Sequence, residues 1–131
     1  MKPDHKETDS IKEALPSNQE LQTAVLQKRV FSMLGLATKA GKIVSGEFMT
    51  EKAVKSNTAY LVITAEDASD NTKKMFTNMC RYYKVPLHIF GTKESLGSAM
   101  GKEMRASAAI TDEGFARAIQ KKLVNSSNME V

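Results

Sequence analysis

The sequence predicts an α/β fold, a three-layer α/β/α sandwich with helices on both faces of a small sheet. Three observations support this prediction. Helical patterns alternate with short strand patterns, the run YLVITA at 60–65 is apolar throughout, and 131 residues suit one domain. The patterns predict five helices and four strands in strict alternation. Because a strand that is apolar on both sides needs cover on both sides, we expect helices on both faces of the sheet.

The first helix is predicted from the spacing of apolar residues after a polar start. Residues 1–20 hold two of the three prolines, and we expect them to form a flexible polar tail. Apolar residues then recur three and four positions apart: Leu21, Val25, Leu26, Val30, Met33, Leu34 and Ala37. Gly41 is typical of a helix end. The predicted single domain spans 21–124, and 125–131 are expected to be frayed.

The remaining elements follow from composition and capping. KIVS, YLVITA, VPLHIF and SAAIT are the predicted strands. A second helix is expected to start at Gly46, and a third, NTKKMFTNMCRYY, to be capped by Asp70. Thr92 is the predicted N-cap of a short helix, TKESLGSAMG. The last helix, DEGFARAIQKKLV, is acidic at its start and basic at its end, which suits the helix dipole.

Metal-binding and thiol chemistry are poorly supported. The single cysteine, Cys80, lies at helical spacing with Phe76 and Met79, and we expect a small buried hydrophobe. His5 lies in the tail, and His88 lies in a strand. One cysteine and two scattered histidines fit no metal site of known spacing, so we expect no metal and no catalytic thiol.

Charge is distributed unevenly along the chain. Residues 1–24 carry three lysines and five acids, whereas residues 25–131 carry 16 basic and 10 acidic residues, a net charge of +6. A basic folded part suggests a polyanionic partner, although a merely soluble basic surface fits equally well. No apolar run is long enough for a membrane span, and the polar N-terminus does not have the pattern of a secretory signal. We expect a cytoplasmic protein that does not bind membranes.

The stretch KAGKIVSGEFMTEKAVK raises the question of phosphate binding. It lacks the order Gly-x-x-x-x-Gly-Lys-Ser/Thr, and a helix rather than a strand precedes it, so a nucleotide loop is not expected. Gly46 at a helix start leaves N–H groups for a phosphate. Lys39 and Lys42 before it, and Lys52 and Lys55 after it, would suit a nucleic-acid backbone. The alternative is a pair of capped helices with solvated lysines.

The acidic loop AEDASDN, after the most apolar strand, permits two interpretations. Glu66, Asp67 and Asp70 could hold Mg²⁺ in an enzyme, because acids at strand ends often carry chemistry in α/β folds. Glu66 and Asp67 could instead accept hydrogen bonds from base amino groups, or fix a neighbouring lysine. No lysine and hydroxyl pair that would complete a phosphoacceptor site is evident, so no catalytic residue is assigned.

Two longer segments carry a family resemblance. GEFMTEKAVKSNTAYLVITAEDAS and VPLHIFGTKESLGSAMGKEMRASAAITDEG, with their spacing, resemble the L7Ae/L30e superfamily of ribosomal proteins, which bind kink-turn RNA. The similarity is greatest to its short bacterial, YlxQ-like branch and covers residues 28–123. It implies an L30e-like sandwich with a mixed four-stranded sheet, no cofactor and no catalysis.

The resemblance also implies three RNA-contacting regions. The family frame Gly-x-Asn-Glu-x-x-Lys falls on 46–52, where Gly46 and Lys52 match but Phe48 and Met49 replace the Asn and Glu that read sheared G·A pairs. The second region is the strand end Ala65-Glu66-Asp67, and the third is the loop 101–106. The full expected RNA-binding set is Lys39, Lys42, Gly46, Glu47, Phe48, Met49, Lys52, Glu66, Asp67, Lys102, Glu103, Met104 and Arg105.

These observations lead to one functional hypothesis and one alternative. The hypothesis is a monomeric, non-catalytic protein that binds structured RNA, either ribosomal RNA or another kink-turn-like RNA, at or near the ribosome. Loss of the two base-edge contacts at Phe48 and Met49 would lower discrimination, at about 1–3 kcal/mol for each good bidentate pair. The alternative is a protein-interaction module on the same fold that uses the Phe48 and Met49 surface.

Overall fold

Helices and strands alternate along the described chain, as predicted. The structure, a computed structural model, describes residues 17–130, with side chains as far as residue 125. The elements are α1 (Asn18–Lys39), β1 (Ile43–Ser45), α2 (Glu47–Lys55), β2 (Leu61–Thr64), α3 (Asp70–Tyr83), β3 (Leu87–Ile89), α4 (Lys93–Ala99), β4 (Ser107–Ile110) and α5 (Glu113–Glu130).

The four strands form one mixed sheet in the order β1-β4-β2-β3. β4 is antiparallel to both β1 and β2, and β2 is parallel to β3. β1, β2 and β3 therefore end, and β4 begins, at the same edge of the sheet, which we call the upper edge. The opposite edge is the lower edge. The predicted α/β/α sandwich with a mixed four-stranded sheet is confirmed.

Two apolar cores cover the two faces of the sheet, and all four residues of β2 are buried between them. Leu61 and Ile63 point into a core with residues of α1, α4 and α5. Val62 points the other way, into a smaller core with Ala53 and Val54 of α2 and Cys80 of α3. Cys80 is buried, as expected for a small hydrophobe.

The first and last helices, α1 and α5, extend further than the sequence analysis predicts. Residues 1–16 of the predicted tail lie outside the described residues, but Ser17 to Glu20 belong to the start of α1. Ser17 Oγ accepts a hydrogen bond from Glu20 N, and Glu20 Oε1 accepts one from Ser17 N. This capping box starts the helix early. The hydrogen bond from Ser17 N to the Glu20 carboxylate, with a smaller effect of the Ser17 side chain, lowers the pKa of Glu20. α5 continues to Glu130 instead of fraying at 125, and it packs along α1.

Local details correct two other expectations. Ser69, not Asp70, is the N-cap of α3, and its hydroxyl accepts a hydrogen bond from Thr72 N at 3.1 Å. Leu21 and Val25, predicted on the apolar face of α1, are about half exposed, because Thr23 and Val30 occupy the buried side of the helix. Thr92 caps α4 as predicted.

None of the described helices combines the length and hydropathy that a membrane-spanning segment requires.

Candidate nucleic-acid interface

The start of α2 lies at the upper edge and presents uncapped backbone. Gly46, the N-cap residue, has a φ of 92°, which a residue with a side chain rarely adopts, and no side chain caps the helix. Its N–H donates to Ser107 O at 2.9 Å, so the turn is fixed to the first residue of β4. The first N–H groups of a helix have no partner within the helix, so those of Glu47, Phe48 and Met49 are available to an acceptor.

Most side chains of this turn are exposed, and a buried pair of hydroxyl groups lies beneath them. Phe48 is 74% exposed and Met49 is 41% exposed, while Glu47 and Lys52 also face solvent. Thr50, in contrast, is fully buried, and its Oγ1 accepts a hydrogen bond from the buried Ser107 Oγ at 3.2 Å. α2 is therefore anchored through Thr50, while its opposite side presents two large apolar groups to solvent.

The strand end Ala65-Glu66-Asp67 lies at the same edge, after β2. Asp67 Oδ1 accepts a hydrogen bond from Lys93 N at 2.8 Å, which ties this loop to the start of α4. Glu66 N donates to Gly91 O at 2.7 Å, while the Glu66 side chain is exposed. Glu66 can therefore accept hydrogen bonds from a ligand, whereas Asp67 also has a structural role that the sequence did not indicate.

The loop 101–106 is held against α4 by a close backbone approach. Lys102 N donates to Gly97 O at 2.7 Å, and Arg105 N donates to Lys93 O at 3.0 Å. Gly97 lies so close to the loop that an added Cβ would be only 1.6 Å from Glu103 O. The loop is therefore positioned by backbone contacts, and its side chains at Lys102, Glu103 and Met104 are left exposed.

Arg105 joins the loop to the end of β1. Its Nε donates to Ser45 Oγ at 3.2 Å, and its Nη1 donates to Met104 O at 3.0 Å. Ser45 immediately precedes Gly46, so this bond places the loop beside the start of α2. The three regions predicted from the family resemblance thus meet at the upper edge, and we call their combined surface the upper-edge surface: Gly46–Met49, Lys52, Glu66, Asp67 and Lys102–Arg105.

Lys39 and Lys42 are not brought into this surface. Both are exposed, but Lys39 ends α1 and Lys42 precedes β1 at the lower edge, where Lys42 O accepts from Thr111 N. β1 runs from the lower edge to the upper edge, and Gly46 follows its last residue. The prediction that these two lysines flank Gly46 is thus corrected, because a strand separates them from it.

Charges of both signs occupy the upper-edge surface. Lys52, Lys102 and Arg105 are positive, while Glu47, Glu66, Asp67 and Glu103 are negative. On the neighbouring turn of α2, Lys55 Nζ lies 2.6 Å from Glu51 Oε2, and this bond raises the pKa of Lys55. Attraction to a polyanion at this surface must therefore come from the placement of a few cations rather than from a uniformly basic patch.

The titratable groups considered for other chemistry are embedded in the core or the sheet. Burial raises the pKa of the Cys80 thiol to about 11, which keeps it protonated and unreactive at neutral pH. Burial lowers the pKa of His88, which lies on the edge strand β3. Among the side chains of residues 17–125, no group of three or more His, Cys, Asp or Glu could hold a metal ion.

Comparison with known proteins identifies the family. The model of the ribosomal protein L7Ae/L30e/S12e/Gadd45 family matches residues 28–120. The chain belongs to this family. The family is non-enzymatic, which confirms the prediction that the chain is not an enzyme.

Relatives and solved structures agree with this assignment. The chain is 48% identical over 86 residues to the RNA-binding protein YlxQ of Bacillus subtilis, a match that covers 66% of this chain and 86% of that protein. It is 34% identical over 91 residues to RNA-binding protein YlxQ of Enterococcus faecium, covering 70% and 87%. The predicted resemblance to the YlxQ-like branch is therefore confirmed.

Two solved structures share the fold. A protein from Bacillus halodurans C superposes with a TM-score of 0.71 at 35% identity, covering 72% of this chain and 96% of that one. A 15.5 kD RNA binding protein of Giardia lamblia superposes with a TM-score of 0.66 at 21% identity, covering 79% and 89%. At that lower identity the likeness concerns the fold alone.

Two residues that shape the surface were missed by the sequence analysis. Ser45 holds Arg105 across 60 positions of sequence, and no local pattern indicates such a pair. Gly97 did leave a signal, because a glycine inside a helical pattern often marks a close approach of backbone.

Proposed function

We propose that this chain is a non-catalytic RNA-binding protein that recognises structured RNA through the upper-edge surface. The observation that carries the proposal is the meeting of three separate segments, after β1, after β2 and before β4, at one edge of the sheet. Membership of the L7Ae family and the similarity to proteins named RNA-binding support it. The finer proposal is an RNA of the kink-turn type at or near the ribosome, which would place the chain in the cytoplasm.

The chemistry of the surface suits a phosphate backbone with exposed bases. The N–H groups at the start of α2 can donate to a phosphate, and Lys52 and Arg105 can neutralise phosphates nearby. Glu66 can accept from a base amino group, and Met104, 58% exposed, can pack on an unstacked base.

Two substitutions test the proposed surface. Lys52→Ala should weaken binding to a structured RNA and reduce its dependence on log salt by about 1, because one phosphate contact is lost. Arg105→Ala should also weaken binding and reduce the salt dependence by about 1, because a second phosphate contact is lost. Arg81→Ala is the matched control, because Arg81 is exposed in the last turn of α3, towards the lower edge. Fluorescence anisotropy at several salt concentrations measures binding, and a melting curve confirms that each variant is folded.

Equal binding by the parent, Lys52→Ala and Arg105→Ala would rule out this surface. The kink-turn proposal needs a second comparison, between a duplex with a standard kink turn and the same duplex with its G·A pairs converted to Watson–Crick pairs. Preference for the first supports kink-turn recognition, whereas equal affinity for both would exclude it and leave the broader RNA proposal standing.

A protein-interaction module is the second candidate, because Phe48 and Met49 expose apolar surface at the start of α2. A protein ligand bound there would tolerate salt better than an RNA, since little of its affinity would come from phosphate contacts.

A further inference from the structure

A shallow groove, which we call the α1 groove, follows the outer side of the first three turns of α1. It has a volume of about 300 Å³ and is lined by Leu21, Gln22, Val25, Leu26 and Arg29. Leu21 is 49% exposed and Val25 is 48% exposed, and Arg29 faces solvent beside them. These three residues are four positions apart, so they form one stripe along the helix.

The α1 groove is open because this part of α1 lies beyond the sheet. The Phe31 ring packs against Phe90, which follows β3 at the upper edge, with ring centroids 4.9 Å apart. α1 runs from there towards the lower edge, so the residues before Phe31 project past the upper edge by up to about 20 Å. Among the described residues of α1, those that join an apolar core begin at Val30. The sheet and its cores therefore cannot cover Leu21 and Val25.

The segment that precedes α1 in the sequence carries a stripe of the same spacing. Residues 1–16 lie outside the described residues, and within them the large aliphatic side chains besides Met1 are Ile11 and Leu15. These two are four positions apart, as are the two exposed aliphatic residues of the α1 groove. If residues 4–15 are helical, Ile11 and Leu15 lie on one side of that helix.

The connection between this segment and α1 suits a helical hairpin. Asp4 and Glu7 have the spacing of a helix start, and Pro16 favours a helix end at the residue before it. Ser17 is extended, with a ψ of 167°, so the chain before it departs from the axis of α1. Two antiparallel helices are commonly joined by about 2–5 residues, so Pro16 and Ser17 are enough.

The two stripes match in chemistry when the segment runs antiparallel to α1. Both stripes advance by four residues, about 6 Å, at each step, so they stay in register. The register gives three pairs of matching chemistry: Leu15 with Leu21, Ile11 with Val25, and Glu7 with Arg29. Residues 4–15 hold four acids and two lysines, a net charge of −2, whereas Lys28 and Arg29 on α1 are positive. Both apolar contact and charge therefore favour this segment as the occupant of the α1 groove.

We propose that residues 4–15 fold back as a helix on the α1 groove, where Ile11 and Leu15 cover Leu21 and Val25. The chain then carries an additional helix beside the first turns of α1, outside the three-layer sandwich. The match to the family model begins at residue 28, so this hairpin lies almost entirely before the part that the family model describes. The proposal does not depend on RNA binding.

Disulfide trapping in the full chain tests this placement. Ile11→Cys combined with Val25→Cys should cross-link within one molecule roughly tenfold or more faster than Ile11→Cys combined with Ala24→Cys, because docking brings only the first pair together. Ala24 is the matched control, since it is also exposed and lies one residue away, about 100° around the helix. A flexible tail would reach both positions equally. Cys80 is buried and can remain.

Backbone amide signals provide a second test without added thiols. In ¹⁵N-labelled protein, Ile11→Ala should shift the signals of Leu21 and Val25, because the covering side chain is removed. Lys12→Ala should leave both signals nearly unchanged, since position 12 lies about 100° around the proposed helix from position 11.

Faster cross-linking at position 25 in a monomer, with shifted signals in Ile11→Ala, is the expected result. Equal cross-linking rates at positions 24 and 25 would overturn the proposal, and so would unchanged signals in Ile11→Ala; the α1 groove would then be left to a separate partner. Disulfide-linked dimers as the main product would also overturn it, in favour of a second copy of the chain seated in the groove. RNA binding is measured separately through Lys52→Ala, so a failed hairpin leaves the proposed function untouched.

Discussion

Gly97→Ala should displace the loop 101–106 and destabilise the protein. The new Cβ would lie 1.6 Å from Glu103 O and 2.6 Å from Glu103 C, whereas real Cβ contacts essentially never fall below 3.0 Å. The loop must therefore retreat by at least about 1.4 Å, and the 2.7 Å bond from Lys102 N to Gly97 O would be lost or strained. Overpacking costs typically 1–3 kcal/mol and a lost hydrogen bond about 0.5–1.5 kcal/mol, against a gain of at most about 1 kcal/mol from helix propensity.

The expected net loss is about 1–3 kcal/mol in the free energy of unfolding, which corresponds to a fall of roughly 4–12 °C in Tm. Urea unfolding and thermal melting measure it. RNA affinity should fall at least as far as in Arg105→Ala, because the whole loop moves. Gly114→Ala is the control, since its Cβ would meet only the side-chain oxygen of Asp112 at 3.2 Å, and it should change stability by less than about 1 kcal/mol. A Gly97→Ala variant as stable as the parent, with unchanged RNA binding, would refute the account of how this loop is held.

Three further predictions concern buried groups. Thr64 Oγ1 is buried without a hydrogen-bond partner among the described residues, so Thr64→Val should raise the free energy of unfolding by about 1 kcal/mol. Thr50→Val should lower it, because Ser107 Oγ loses its hydrogen-bond partner. Urea unfolding measures both changes, and the same sign for the two variants would contradict this reasoning. Because burial lowers the pKa of His88, the unfolded chain binds its proton more readily, so stability should fall as the pH drops below about 6.5; a His88→Gln variant with an equally steep pH dependence would exclude this cause. Cys80, buried and with its pKa raised to about 11, should react with a thiol reagent at pH 8 only as fast as the protein opens, and rapid labelling of the native state would contradict its burial.

Most of the fold could be predicted because its signals are local. The apolar β2 strand requires two covered faces, and the spacing of apolar residues identifies α1 without any tertiary information. Apolar spacing alone predicts a start of α1 near Glu20, whereas the capping box of Ser17 and Glu20, a local signal in the sequence, starts the helix at Asn18. The packing of α5 along α1 joins elements from opposite ends of the described chain, which no local pattern reveals.

The candidate site was less predictable, because it is assembled from segments far apart in the chain. The family resemblance indicated the three regions, and the structure brings them together. Closeness in sequence was misleading for Lys39 and Lys42, since β1 carries the chain from one edge of the sheet to the other between Lys42 and Gly46. Asp67 was expected to contact a ligand or a side chain, but it binds a backbone N–H of α4. RNA contact by the individual residues stays a prediction.

A chemical-shift titration tests the central claim most directly. ¹⁵N-labelled protein would be titrated with the duplex that carries a standard kink turn, and the backbone amide signals followed. The account predicts that the largest changes occur at the upper-edge surface, over residues 46–52, at Glu66 and over residues 102–105, while Lys39, Lys42 and Arg81 stay nearly unchanged. Changes centred on the lower edge or on the outer side of α1, or no change at millimolar RNA, would contradict it.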